Sequence, residues 1–301
     1  MTTRDYPRLS IEEFGKQLIV SGDLDPVYIG LYKLLSEGKM EGSHLNRWLL
    51  AYSCLYHCGV ASYLSEYEGW AFFDKLELAA RNEKPAPTGD RWPRAKERRH
   101  WRGTQAILSH KALVDRYGSR PERFVDYVAH HWAQGVVDAH ATRSFTEIAG
   151  RVQDHLGFGR WIAFKMADIV DRLGLARVEF KFDDVVIYDD PLLAAEMLVR
   201  QRLGLPENAQ VKRSAIKEVF DYLQIYFSDY AAPPMYDRPV GLAEIETVLC
   251  KWKSHTRGHY PVHNDIVEIS EGIAPWMKHS GTAMAFAAAL PKLPQEAEIC
   301  V

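Results

Sequence analysis

Between Ser43 and Glu66, apolar residues fall at 45, 48, 49, 52, 55, 56, 60, 63 and 64. That three-and-four spacing, with so broad an apolar face, predicts a central helix over 44–66. The same periodicity predicts helices over 70–82, 93–117, 121–131, 144–156, 161–173, 191–203, 214–229 and 242–254. End signals agree with these spans. Pro93 suits a first helical turn, Gly118 and Gly174 are natural stops, and Ser144 with Glu147 reads as a capping box. Asp190-Pro191 opens the next helix, and KPAPTGD (84–90) reads as a loop. The clear extended stretch is VEFKFDDVVIYDD (178–190). The expected fold class is therefore mainly α. Residues 1–42 read as lead-in helices, 43–290 as a helical domain with two lobes and a cleft as one arrangement, and 291–301 as a peripheral tail.

Composition adds little until its distribution is considered. Of 301 residues, 47% are hydrophobic and 26% charged, which is ordinary for a globular chain able to bury a core. A net charge of −3 does not announce a nucleic-acid binder, yet residues 91–102 read RWPRAKERRHWR, with six Lys/Arg against one Glu. The 8 Trp and 15 Tyr suit a chain that stacks on flat ligands. Cys54, Cys58, Cys250 and Cys300 form no CxxC pair, so reduced, buried thiols and a reducing cytoplasm are expected. Nothing reads as a signal peptide, and the apolar run at 285–290 is too short to span a bilayer, so no membrane partner is expected.

The chemistry gathers at 155–190. HLGFGRWIAFKMADIV sets a Gly-x-Gly turn between two helices. Glycines let the backbone turn tightly and approach another group closely, and the next helix offers free N–H groups and its positive dipole end. A phosphate suits that place, so Gly157, Gly159, Arg160 and Lys165 are candidate DNA-backbone contacts. A plain helix corner with a glycine stop is the alternative. Beyond the second helix stand two acids, Asp183 and Asp184, in FDDVV.

GFGRWIAFKMADIV followed by FDDVVIYDD resembles the helix–hairpin–helix superfamily of DNA glycosylases, in which an essential Asp follows the hairpin; Asp184 or its neighbour Asp183 matches that position. Bifunctional members carry a lysine where this chain has Trp161, so the usual Schiff base is not expected. WPRAKERRHWRG (92–103), GFGRWIAFKMAD (157–168) and KSHTRGHYPVHNDIVE (253–268) together resemble the phage amino acid:DNA transferases, also called glutamyl- or putrescinyl-thymine pyrophosphorylases. This resemblance implies a glycosylase-like helical fold in host cytoplasm and action on 5-phosphoryloxymethyluracil in double-stranded DNA, made by a companion 5-hydroxymethyluracil DNA kinase. It implies displacement of the phosphate by the amine of a free amino acid, glycine or similar, or of a polyamine, and it calls for no cofactor.

Such a reaction makes three demands. A leaving phosphate needs cationic groups. On a helix Arg94, Arg98 and Arg102 would share one face, with Arg99 and Lys253 as further candidates. An attacking amine must lose a proton, for which Asp184, Asp183 and His259 are candidates. The base must be exposed between aromatic walls, for which Trp48, Tyr52 and Trp161 are the candidates, with Tyr56 and Tyr188 beside them. His255, His259 and His263, spaced by four, also admit a metal reading, but neighbouring carboxylate or thiolate partners are few and no metal is expected. A monofunctional glycosylase, with Asp184 activating water, and a non-catalytic DNA-binding module are the competing readings. The basic cluster favours the transferase, because a glycosylase needs no second phosphate cradle.

Overall fold

The computed structural model describes residues 6–98, 101–129, 142–186 and 189–293. Fifteen α-helices occur among them: α1 (Ile11–Ser21), α2 (Pro26–Ser36), α3 (Gly42–Leu55), α4 (Cys58–Ser65), α5 (Gly69–Arg81), α6 (Gly103–Tyr117), α7 (Arg123–Ala129), α8 (Phe145–Gln153), α9 (Arg160–Arg172), α10 (Phe182–Val185), α11 (Asp189–Leu203), α12 (Arg213–Tyr226), α13 (Leu242–Thr256), α14 (Asn264–Ile273) and α15 (Gly281–Ala289). Two short strands, β1 (Thr142–Ser144) and β2 (Arg177–Glu179), pair in parallel with Arg143 opposite Val178. The fold is mainly α, as the periodicity predicts.

The chain divides into two compact units. The larger holds residues 27–179 and 268–290; the smaller holds the described residues up to Pro26, then 180–267, and those from Pro291. In the larger unit α3 is central, with every residue from Arg47 to Leu55 buried. The helix expected over 44–66 is two helices. Tyr56 takes a left-handed conformation (φ 51°) and ends α3, and the His57 ring accepts the Val60 N–H at 3.3 Å to cap α4. The break lets α4 fold back, and Gly59 permits a close approach there: a β-carbon on it would lie 2.2 Å from the Trp276 ring. Cys54 and Cys58 are buried free thiols, as expected, and burial pushes Cys54 up to about 12.

Two further expectations are corrected. The described residues 93–98 and 101–102 do not begin a long helix: 93–98 are irregular with one 3-10 turn at Lys96–Arg98, and α6 starts only at Gly103. Among the described residues of the 178–190 stretch, strand is confined to β2, and the chain then turns through α10, where the Asp184 carboxylate accepts the Lys181 N–H at 2.8 Å.

In the smaller unit α1 packs along α13, with the Phe14 ring 4.4 Å from that of His255. A buried ionic knot ties the two: Lys251 donates to the carbonyls of Asp23 (2.7 Å) and Leu24 (2.6 Å) and pairs with Asp265 (2.7 Å). The Asp23 carboxylate accepts the Ile266 N–H at 3.0 Å, and burial raises it to about 6.

Candidate functional site

The turn between α8 and α9 is built from inside the larger unit. Ser144 caps α8, accepting the Glu147 N–H at 3.2 Å as the sequence pattern predicts. The chain then turns at Asp154 and His155. The His155 Nδ1–H donates to the Val152 carbonyl (3.1 Å), and Nε2 accepts the Tyr117 hydroxyl at 2.5 Å. Packed against Tyr117, Phe124 and Phe158, the imidazole is neutral and burial lowers it to about 4. On the outer side, the Tyr127 hydroxyl donates to the Asp154 carboxylate, and the Arg116 guanidinium lies 3.9 Å over the Tyr127 ring. These anchors carry no motif; they come from helices 27 to 38 positions away in the chain and are invisible in the sequence.

Gly157 is the turn residue that needs to be glycine, at φ 83°, with Ser109 and Trp101 against the place a β-carbon would occupy. Gly159 differs. Its φ of −89° and ψ of −174° are ordinary extended backbone, and open space surrounds its missing side chain. It is the N-cap of α9, is exposed, and supplies no side-chain cap to the first-turn amides. Arg160, the next residue, is exposed as well. Lys165 lies one turn further in, its ammonium 5.3 Å over the Phe164 ring.

Arg94, Arg98 and Arg102 do not form the stripe expected on one helix face, because none of the three lies in an α-helix. Arg98 is 6% exposed. Its Nε donates to the Cys54 carbonyl at 3.0 Å and its Nη1 to the Gly157 carbonyl at 3.2 Å, so backbone carbonyls rather than solvent meet these two nitrogens. Arg94 is half-buried and bonds the carbonyls of Trp101 and Ala79. Arg102, just before α6, and Lys96 are exposed. Arg99 and Tyr188 lie outside the described residues.

Of the aromatic candidates, Trp48 is fully buried, with its indole N–H on Ser62 Oγ at 3.0 Å and Tyr52 and Phe286 stacked at 4.7 and 5.5 Å. Tyr52 is also buried, with Tyr56 at 4.3 Å. Both are core, which corrects the expectation of stacking walls there. The row continues outward from Tyr56 to Trp161, edge-on at 4.6 Å, and these two are only half-buried. Trp161 stands in the first turn of α9, next to the exposed hairpin.

The other candidates belong to the smaller unit. Asp183 is exposed and paired with Arg213, while Asp184 is half-buried and caps α10 through one carboxylate oxygen. Lys253 is buried and paired with Asp190 of α11, which corrects its expected role as an open phosphate ligand. His259 is exposed just past α13. His255 is spoken for at both ring nitrogens: Nε2 accepts the Leu9 N–H (3.0 Å) and Nδ1–H donates to the Tyr260 carbonyl (2.8 Å).

Comparison with known proteins accounts for these motifs together. A family model described as amino acid:DNA transferase matches residues 20–260. A glycinyltransferase of Pseudomonas phage PaMx11 is 45% identical, over 97% of this chain and 100% of its own length. A putrescinyltransferase of Delftia phage PhiW-14 is 25% identical, over 83% of this chain and 74% of its own length. The family expected from the three sequence segments is therefore the one found: this chain belongs to the amino acid:DNA transferases.

Proposed function

We propose that this transferase replaces the phosphate of 5-phosphoryloxymethyluracil in DNA with the amine of glycine. The observation that carries the donor is the 45% identity to a glycinyltransferase along the whole of that relative. In the net reaction the exocyclic methylene carbon loses its bond to the phosphate oxygen and gains one to the amine nitrogen. Inorganic phosphate leaves, and the amine gives up a proton. Neither step needs a cofactor. The phosphorylated base implies a kinase acting earlier on 5-hydroxymethyluracil in the same DNA.

The residues support a division of labour. The exposed turn at Gly159 and Arg160, with the first-turn amides of α9 behind it, suits a DNA phosphate. Such contacts position the duplex without reading sequence. Trp161, half-buried beside the turn, offers a face for an extruded base. Arg91, Lys96 and Arg102 are the exposed cations among the described residues of the basic segment. Asp184 is the candidate base for the amine proton, with Asp183 and His259 as alternates.

A duplex bearing 5-phosphoryloxymethyluracil, incubated with glycine, other amino acids and putrescine and then digested to nucleosides, tests the reading by mass spectrometry. A glycine adduct is expected. Abasic sites would instead mark a glycosylase, and unmodified duplex with binding retained would mark a DNA-binding module. Asp184→Asn should abolish the adduct. The amide oxygen of Asn still accepts the Lys181 N–H, so the α10 cap survives while the proton acceptor is lost. Full turnover by a folded Asp184→Asn protein would remove Asp184 from the mechanism.

A further inference from the structure

The most basic stretch of the chain buries its central arginine, which is 6% exposed. Arg98 closes the 3-10 turn at Lys96–Arg98, and that turn is stitched to the end of α3 by the Ala95 N–H on the Leu55 carbonyl (3.0 Å). From there its guanidinium bridges two backbone carbonyls 103 positions apart, Cys54 in the last turn of α3 and Gly157 in the hairpin. The guanidinium carbon lies 5.2 Å from the centre of the Phe158 ring. A helix C-terminus leaves its last carbonyls without intrahelical partners and carries the negative end of the dipole, so a cation is favoured there. The fork of Arg meets the two carbonyls with two separate nitrogens held in one rigid plane, whereas an ammonium would have to bring a single nitrogen within reach of both. Burial lowers the guanidinium to about 10, which leaves it charged at neutral pH.

We propose that Arg98 is a positioning residue that pins the Gly157 carbonyl to the end of α3 and thereby fixes the phosphate-docking turn without touching DNA. The proposal rests on the reading of that turn as a DNA dock. Gly157 sits at φ 83°, a conformation held from one side by Ser109 and Trp101 and from the other by Arg98. If the strut is lost, the turn is free to relax and the first-turn amides of α9 lose their common aim. The buried charge also adds positive potential behind those amides.

Salt dependence separates a strut from a ligand. Each phosphate contact contributes about 0.9 to the slope of log affinity against log salt. Full-length Arg98→Gln should bind an unmodified 20-base-pair duplex roughly tenfold more weakly by fluorescence anisotropy, with the parent slope. Hydrogen exchange by mass spectrometry should show faster exchange at residues 153–163 and parent rates in α13. A slope reduced by about 0.9 with parent exchange in the hairpin would make Arg98 a direct ligand and overturn the proposal. Parent affinity together with parent exchange would overturn it as well.

If Arg98→Gln does not fold, Arg98→Lys carries the test. Lysine keeps the charge but replaces the two-nitrogen fork by a single nitrogen, so hairpin exchange should still rise at unchanged slope, whereas parent exchange overturns the strut. Gly157→Ala strains the same turn from the Ser109 side and should reproduce the pattern. The exchange readout needs no DNA. A hairpin that loosens in Arg98→Gln, while Arg160→Ala binds DNA like the parent, would therefore overturn the docking reading and leave the strut standing.

Discussion

Replacing Gly159 by Asp should move stability and DNA affinity in opposite directions. The backbone at Gly159 is extended and nothing lies within 4 Å of an added β-carbon, so the side chain enters without strain. A carboxylate at this N-cap accepts a first-turn amide of α9 and faces the positive end of a 13-residue helix. Asp exceeds Gly as a cap by a few tenths of a kcal/mol, and the dipole adds about 0.3–1 kcal/mol. A rise of about 1–3 °C in the thermal midpoint follows. The same carboxylate occupies the donors a DNA phosphate would use. Losing a charge-assisted hydrogen bond and adding a like charge costs about 2–3 kcal/mol, roughly a 30- to 150-fold loss of affinity. The salt slope should fall by about 0.9. Gly159→Asn supplies the cap without the charge and should lose less affinity. Anisotropy titrations at several salt concentrations, paired with thermal melts, read both effects. Parent affinity and slope in a stabilised Gly159→Asp protein would refute the assignment of this turn to a phosphate.

Trp48→Ala should cost about 3–5 kcal/mol in urea unfolding, because it empties the centre of the larger unit; Trp161→Ala should cost far less stability and instead lower turnover. The reverse pattern would make Trp48 the stacking wall. Buried, neutral His155 has a folded value near 4 against 6.5 unfolded, so its contribution is present above pH 6.5 and is lost as pH falls toward 4, by about 1.4 kcal/mol per pH unit. His155→Gln should remove that slope from stability measured between pH 6.5 and 4, and an unchanged slope would place the proton elsewhere. Asp23 has the opposite sign. Raised to about 6, it contributes stability below pH 3.8 that is lost as pH climbs through 6, and Asp23→Asn should flatten that part of the curve.

Several features of this protein are local and could be read along the chain. The helices near 161–173 and 242–254 appear as α9 and α13, because their apolar spacing fits a helix in any packing environment. The Ser144 cap and the glycine turn at 157–159 involve neighbours within a few positions. The family was legible for the same reason: its motifs are contiguous segments. What tertiary structure decided is which side chains are available. A pattern of apolar positions cannot report that Tyr56 breaks 44–66 into two helices so that Trp276 can pack on Gly59. A run of arginines cannot report that Arg98 is taken by two distant carbonyls while Arg102 stays in solvent. Lys253 and Trp48 look like ligands in sequence, but Asp190 and Phe286, respectively 63 and 238 positions away, claim them. Charge and ring shape are properties of a residue, whereas exposure and hydrogen-bond partners belong to the packed molecule.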